Sequence, residues 1–125
     1  MFNLLYIFKF FECGHFCIKY ILKKEKIKPK FKYYKKWMSL GLVKRVLGQY
    51  FNNVKCYKYE ELDDLKNKKR FITLIKTKNK FFHYVVIEKI DKDKIYYYDP
   101  LFYNLRRVKL EKFNRYWYNY CCFYQ

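Results

Sequence analysis

The stretch "FFHYVVIEKIDKDKIYYYDP" (residues 81–100) decides the fold. Its two apolar runs, 81–90 and 94–100, are rich in β-branched and aromatic residues and predict two strands. The polar "IDKDK" between them predicts the turn of a hairpin. Because a hairpin alone is not stable in water, further strands are expected beside it.

Segments on both sides of the hairpin supply those strands. The candidates are "VKCYKY" (54–59), "RFITLIKT" (70–77), "RRVKL" (106–110) and "YCCFY" (120–124). Residues 60–69 predict a short helix or loop, and residues 111–117 predict a helical turn. The second half of the chain is therefore expected to form an antiparallel sheet.

The first half predicts helices. One is expected to begin near Cys13, and Ser39 is a candidate N-cap for a second. Each has apolar residues at the spacing of one buried helix face. These residues are Phe16, Cys17, Ile18, Ile21 and Leu22 in the first helix, and Val43, Val46, Leu47 and Tyr50 in the second. Helices followed by an antiparallel sheet indicate an α+β fold, and we expect residues 1–125 to form one domain.

The composition limits the class of protein. A chain that is 52% hydrophobic and 25% aromatic is not disordered. The opening "MFNLLYIF" lacks a basic leader and a cleavage site, and it is shorter than the ~20 residues of a membrane helix. An odd number of cysteines, five, then favours a reducing compartment and free thiols over disulfides.

The formal charge is +18, from 29 basic and 11 acidic residues. This charge attracts nucleic acids, acidic peptides and anionic membrane surfaces. An AT-rich genome produces the same mixture of Lys, Tyr, Phe, Ile and Asn without a partner. The lysines are spread from Lys9 to Lys112 and arginine is scarce, which favours this compositional explanation, so no nucleic acid is expected.

His83 and Asp99 lie in the two predicted strands of the hairpin. A turn centred on Asp91 places them directly or nearly opposite each other. A carboxylate within reach of an imidazole is the orienting half of a nucleophile–base–carboxylate triad. An ordinary cross-strand polar pair explains the same arrangement equally well.

Cys13 is the candidate nucleophile. At the start of a helix, the positive end of the helix dipole favours its thiolate, and Gly14 leaves room for a substrate backbone. The alternative is a buried, inert thiol. His15 is a poor base for Cys13, because residues i and i+2 of a helix do not face each other, and we expect it to be partly exposed.

A metal site is the remaining alternative for this segment. The ligands would be Cys13, His15 and Cys17, and the second pair would be the adjacent Cys121 and Cys122, which is poor tetrahedral geometry. No metal or other cofactor is therefore predicted. Cys17, Cys56, Cys121 and Cys122 are interpreted as packing residues.

"ECGHFCIKYIL" (12–22) resembles the Asp/Glu-Cys-Gly-x-x-Cys-Leu element of the bacteriocin-processing, double-glycine leader peptidases. These are the papain-like domains of peptidase-containing ABC transporters. The segments around His83 and Asp99-Pro100 resemble that family's catalytic histidine and Asp-Pro. "LEKFNRYWYNYCCFY" (110–124) resembles its closing turn and last strand, so the resemblance covers nearly the whole chain.

The resemblance implies a papain-like cysteine peptidase with Cys13 as nucleophile, His83 as base and acid, and Asp99 as the orienting carboxylate. It implies cleavage of leader peptides after a double-glycine site, at the cytoplasmic face of the membrane. The implied partners are the leader peptide and the membrane and nucleotide-binding domains of an ABC transporter, fused or separate.

The sequence departs from the family pattern at Ile7, where the family usually has a glutamine that donates to the oxyanion. The backbone N–H of Cys13 remains as a donor. Loss of one such donor costs on the order of 10²–10³ in rate. A weak or inactive leader-binding domain of the same fold is therefore the alternative function.

Overall fold

A computed structural model describes residues 12–30, 37–76, 82–102 and 104–125. Over these ranges the chain forms helices first and then an antiparallel sheet, as predicted. The helices are α1 (Cys13–Lys24), α2 (Leu40–Leu47) and α3 (Leu110–Asn114), with a 3₁₀ turn at Leu62–Leu65. The strands are β1 (Val54–Lys58), β2 (Phe71–Lys76), β3 (Phe82–Asp91), β4 (Lys94–Asp99), β5 (Asn104–Lys109) and β6 (Trp117–Tyr124).

The strand order of the described sheet is β1-β6-β2-β3-β4-β5. The closing strand β6 therefore lies between β1 and β2. All paired neighbours are antiparallel. The closing strand begins at Trp117 rather than at residue 120, and β5 begins at Asn104 rather than at 106. Among the described residues, none of the helices combines the length and the apolar character that a membrane crossing requires.

The sheet has a core on each face. The first face packs against α1 and α2 through Cys17, Ile18, Ile21, Val43 and Leu47, which are all fully buried. The opposite face packs against the 3₁₀ turn and α3, with Leu65, Phe71, Ile87, Ile95 and Phe113 in its core. The apolar helix stripes predicted from the sequence are thus the faces that contact the sheet.

Ser39 caps α2 as the sequence predicts. Its Oγ accepts a hydrogen bond from the backbone N–H of Leu42 at 3.1 Å. This bond satisfies one of the N–H groups that the first turn of a helix leaves without a partner.

A bulge at Glu88 interrupts the pairing of β3 with β4. Both carboxylate oxygens of Glu88 accept hydrogen bonds from Arg70, and Tyr20 of α1 donates to Oε1 at 2.7 Å. Arg70 also contacts Glu25, just after α1. This network ties the end of α1 to the sheet and so helps to fix where its first residue, Cys13, lies.

Candidate active site

His83 and Asp99 form a buried pair at the end of the sheet where β3 begins and β4 ends, here called the site end. Nε2 of His83 lies 2.7 Å from Oδ1 of Asp99. The two residues are only 1% and 3% exposed. Oδ1 also accepts the backbone N–H of Leu101 at 3.0 Å. The imidazole is therefore oriented by a carboxylate that the turn after β4 itself holds in place.

The two side chains meet although the residues are not directly opposite. The hairpin turn lies at Lys92 and Asp93, with Lys92 at φ 56°, so a turn centred on Asp91 was wrong. The nearest observed pair is Val86 with Tyr98, which leaves His83 and Asp99 in a diagonal relation. Because side chains alternate with a period of two, both still project from the same face of the sheet.

Cys13 reaches the same end of the sheet from α1. It is fully buried, and its Sγ accepts a hydrogen bond from the backbone N–H of Tyr84 at 3.4 Å. Tyr84 directly follows His83 in β3. Strand β3 therefore contacts the thiol through the backbone N–H of Tyr84 and carries the imidazole on the preceding residue, His83.

Gly14 lets α1 pack this closely. A Cβ at Gly14 would lie 3.2 Å from Cβ of Met38 and 3.4 Å from Cδ2 of Tyr84. The hydroxyl of Tyr84 in turn donates to the carbonyl of Met38 at 2.8 Å. The sequence suggested that Gly14 makes room for a substrate, whereas the structure gives it a packing role beneath Cys13.

The thiol of Cys13 is neutral in this resting structure. Burial raises its pKa to about 12, and the negative charge of Asp99 acts in the same direction. Backbone N–H groups of Tyr84, Gly14 and Cys13 itself lower the pKa but do not offset burial. The N–H groups at the start of the helix thus favour the thiolate, as predicted, but desolvation by burial raises the pKa by more.

His15 was expected to be partly exposed, and that expectation was wrong. It is only 2% exposed. Burial lowers its pKa to about 4, and the charge of Lys19 lowers it further. A neutral, buried imidazole on α1 is part of the packing around the helix. Cys17 is fully buried, as a packing residue should be.

A cavity of about 320 Å³ borders the His83–Asp99 pair. Arg106 lies at its wall, with Nη1 4.0 Å from Oδ2 of Asp99 and its guanidinium 5.3 Å from the centre of the Phe102 ring. Sequence analysis did not single out Arg106, because only the pairing of β4 with β5 brings it near Asp99. It places a positive charge next to the orienting carboxylate.

Ile7, the position of the usual glutamine, lies outside the described residues. Within residues 12–30, 37–76, 82–102 and 104–125, no three His, Cys, Asp or Glu side chains form a group that could hold a metal ion. The groups at the site end are a thiol held by the backbone N–H of Tyr84, an imidazole on the preceding residue, and the carboxylate paired with that imidazole. This is the donor set of nucleophilic acyl transfer.

Comparison with known proteins agrees with this chemistry. The model of the Peptidase C39 family matches residues 8–125, nearly the whole chain. No curated protein sequence matches the chain.

Solved structures with the same architecture include two peptidase domains. One is a double glycine motif protease from an AMS/PCAT transporter in complex with the leader peptide. Its TM-score is 0.71 at 21% identity, over 99% of this chain and 86% of that one. The other is the peptidase domain of Streptococcus mutans ComA, with a TM-score of 0.72 at 17% identity, over 93% of each chain. At such identities the likeness establishes the fold, which is papain-like.

Proposed function

Since this chain belongs to the Peptidase C39 family, we propose that it cleaves leader peptides after a double-glycine-type site, with Cys13, His83 and Asp99 as its catalytic residues. The observation that carries the proposal is the arrangement at the site end. A buried imidazole is 2.7 Å from a buried carboxylate, and the next residue of the strand donates to the sulfur of Cys13. The reaction class is acyl transfer through a thioester.

The chemistry begins with a proton transfer. Because the Cys13 thiol is neutral at rest, its proton must pass to His83 as the sulfur attacks the scissile carbonyl carbon. Nε2 of His83 faces Asp99, so Nδ1 is the nitrogen that takes the proton. Asp99 then stabilises the imidazolium and holds the ring in position.

The tetrahedral intermediate carries an oxyanion. The backbone N–H of Cys13, at the first position of α1, is the donor that we assign to it, since the first N–H groups of a helix have no partner within the helix. His83 next protonates the leaving amine, and the C–N bond breaks. Water, deprotonated by His83, then hydrolyses the thioester and restores the thiol.

The comparisons with transporter peptidase domains support a wider role in export. In that role the domain works at the cytoplasmic face of a membrane beside the membrane and nucleotide-binding domains of an ABC transporter, and its substrates are bacteriocin-like precursors. The charge of +18 suits a substrate segment that carries acidic residues.

The test is cleavage of synthetic double-glycine leader peptides by the purified protein. Cys13→Ala is expected to lower the rate on the order of 10⁴-fold or more, because no other group supplies the nucleophile. Cys56→Ser, which replaces a half-buried thiol on β1, is the matched control and is expected to leave the rate unchanged. Equal cleavage by the Cys13→Ala variant would refute Cys13 as the nucleophile.

Two observations favour the second candidate, a leader-binding domain without catalysis. Ile7 replaces the usual oxyanion donor, and burial holds the Cys13 thiol in its neutral form. Calorimetric titration with an uncleaved leader separates the two functions. Tight binding together with no product after long incubation would establish the binding function.

A further inference from the structure

Two thiols that are not part of the candidate triad face each other across β1 and β6. Cys56 of the edge strand β1 and Cys122 of β6 are directly opposed Cα partners. Their side chains are in hydrogen-bond contact. Cys122 is fully buried, whereas Cys56 is half-buried. No step of the proposed peptidase mechanism uses either residue.

The hydrogen-bond pattern of the ladder shows how close this pair is. Tyr59 N–H donates to the carbonyl of Asn119 at 2.9 Å, and Gln125 N–H donates to the carbonyl of Asn53 at 3.0 Å. Hydrogen-bonded and non-hydrogen-bonded pairs alternate along an antiparallel ladder. Cys56 lies three residues, an odd number, from both Asn53 and Tyr59 along the chain. The Cys56–Cys122 pair is therefore a non-hydrogen-bonded pair.

This kind of pair is suited to a disulfide. Directly opposed residues of a non-hydrogen-bonded pair have Cα atoms about 4.5 Å apart, with their side chains close together. Disulfides need a Cα separation of about 4.4–6.8 Å. The two sulfurs can therefore be joined while β1 and β6 keep their register.

The neighbouring Cys121 cannot replace Cys122 in this pair, because its side chain points to the other face of the sheet. It is the Cα partner of Tyr57, and its Sγ lies 3.5 Å from Oγ1 of Thr73 in the core of the opposite face. Since successive side chains alternate between faces, Cys121 points away from Cys56. It therefore offers a matched control at the adjacent position.

Cys56 is the better nucleophile of the two. Its hydrogen bond with Cys122 lowers its pKa, the charge of Lys44 acts in the same direction, and burial opposes both. Its strand pairs with β6 alone in the described sheet, so its outer edge is not covered by another described strand. Cys56 packs against the core on the helix-covered face but is only half-buried, so a small molecule can reach its sulfur, with Cys122 directly behind it.

We propose that Cys56 and Cys122 form a thiol–disulfide exchange site that reacts with small-molecule disulfides of the glutathione class. The Cys56 thiolate attacks one sulfur of the small disulfide, whose S–S bond breaks and releases one thiolate. That thiolate accepts the proton of Cys122. The sulfur of Cys122 then attacks Sγ of Cys56, forms the protein disulfide and releases the second small thiolate, which is protonated by solvent. Two protein thiols are oxidised, and one small disulfide is reduced to two thiols.

The product would be a covalent clamp on the edge of the sheet. It joins β1 to β6, two strands that are distant in sequence and held together otherwise by backbone pairing and packing. A cross-link between distant positions stabilises a fold chiefly by restricting the unfolded chain. The oxidised protein is therefore expected to unfold at a temperature several degrees higher than the reduced protein.

The experiment treats the whole native protein with glutathione disulfide, then alkylates all remaining thiols with iodoacetamide in denaturant, and maps the products by mass spectrometry. Trypsin cuts after Lys55, Lys58 and Arg115, so the disulfide joins peptides 56–58 and 116–125. Cys121→Ser is expected to keep this cross-link, whereas Cys122→Ser is expected to lose it and to stop at a mixed disulfide on Cys56. Dithiothreitol should reverse the reaction.

Two results would overturn the proposal. One is alkylation of all five cysteines in the wild-type protein after equilibration with excess glutathione disulfide. The other is a cross-link that disappears in Cys121→Ser and persists in Cys122→Ser. Because the wild-type protein already gives a decisive mass shift, the proposal is testable even if a variant fails to fold.

Discussion

Cys13 at the site end and Cys56 at the edge of the sheet are two thiols in opposite electrostatic situations. Cys13 is fully buried, and burial raises its pKa to about 12. Cys56 is half-buried, and its pKa is lowered by a neighbouring thiol and by Lys44. The first sits at a helix N-terminus, the environment usually associated with activation, whereas the second sits in an ordinary strand.

The difference teaches that position on a secondary-structure element does not by itself activate a cysteine. The free-energy cost of removing water from around the Cys13 thiolate is larger than the stabilisation that the nearby backbone N–H groups provide. Cys13 therefore depends on His83 to take its proton when substrate arrives. Cys56 is partly exposed, and its hydrogen bond with Cys122, helped by the charge of Lys44, lowers its pKa, so we expect it to react without a dedicated base.

After the loss of the nucleophile itself, the largest expected effect concerns the support of His83 at the site end. Replacing Asp99 with Ala removes the acceptor for the imidazole and for the Leu101 N–H, and kcat/KM is expected to fall about 10²–10⁴-fold, mainly through kcat. Asp99→Asn keeps an oxygen acceptor and should lose less. Steady-state kinetics on a leader peptide measure both variants.

Asp91→Ala is the control for this prediction. Asp91 lies in the same hairpin but is exposed, so its removal should not change the rate. If Asp99→Ala and Asp91→Ala cleave equally well, Asp99 does not orient the base.

The second prediction compares the two thiols directly. At pH 7 without substrate, iodoacetamide is expected to modify Cys56 at least about 100-fold faster than Cys13, because only the thiolate reacts. With a pKa raised to about 12, the Cys13 thiolate fraction should grow with pH well beyond pH 9. Peptide mapping over a time course from pH 6 to 10 measures both rates.

Cys56→Ser serves as the control, since it should leave the slow labelling of Cys13 unchanged. Equal labelling of the two residues at pH 7 would contradict the comparison and would show that Cys13 already shares an ion pair with an imidazolium at rest.

The smallest effect is expected at Arg106. Its Nη1 is 4.0 Å from Oδ2 of Asp99, and its side chain is 45% exposed, so solvent screens much of the attraction. Arg106→Gln is expected to lower kcat/KM only a few-fold at low salt, and the difference should vanish at high salt. Arg107→Gln, on the next residue of β5, is the matched control. A loss that persists at high salt would instead assign Arg106 a direct contact with substrate.

Several features of the fold could be read from residue patterns. The alternation of "VKCYKY" and the β-branched runs of residues 70–77 and 81–90 predicted strands, because half-buried strands need side chains that suit a pleated surface. Ser39 predicted the start of α2, because its hydroxyl can bond a free N–H of the first turn. These are local interactions within a few residues, and local sequence specifies them.

The register of the hairpin could not be predicted from such local patterns. Nothing in "IDKDK" indicates that the turn lies at Lys92 and Asp93, or that Glu88 forms a bulge which Arg70 and Tyr20 hold from other elements. His83 and Asp99 were nevertheless expected to lie close together, because a shift by two positions preserves the face on which each side chain lies.

The sequence by itself determined the class of fold, the order of its elements and the few residues able to carry acyl-transfer chemistry, since these depend on residue type and spacing. Only the tertiary structure decided how those residues behave. It buries Cys13 against Tyr84 and raises its pKa, buries His15 on the same helix, and places Cys56 opposite Cys122. Desolvation and cross-strand pairing depend on residues that are distant along the chain, so no short stretch of sequence contains them.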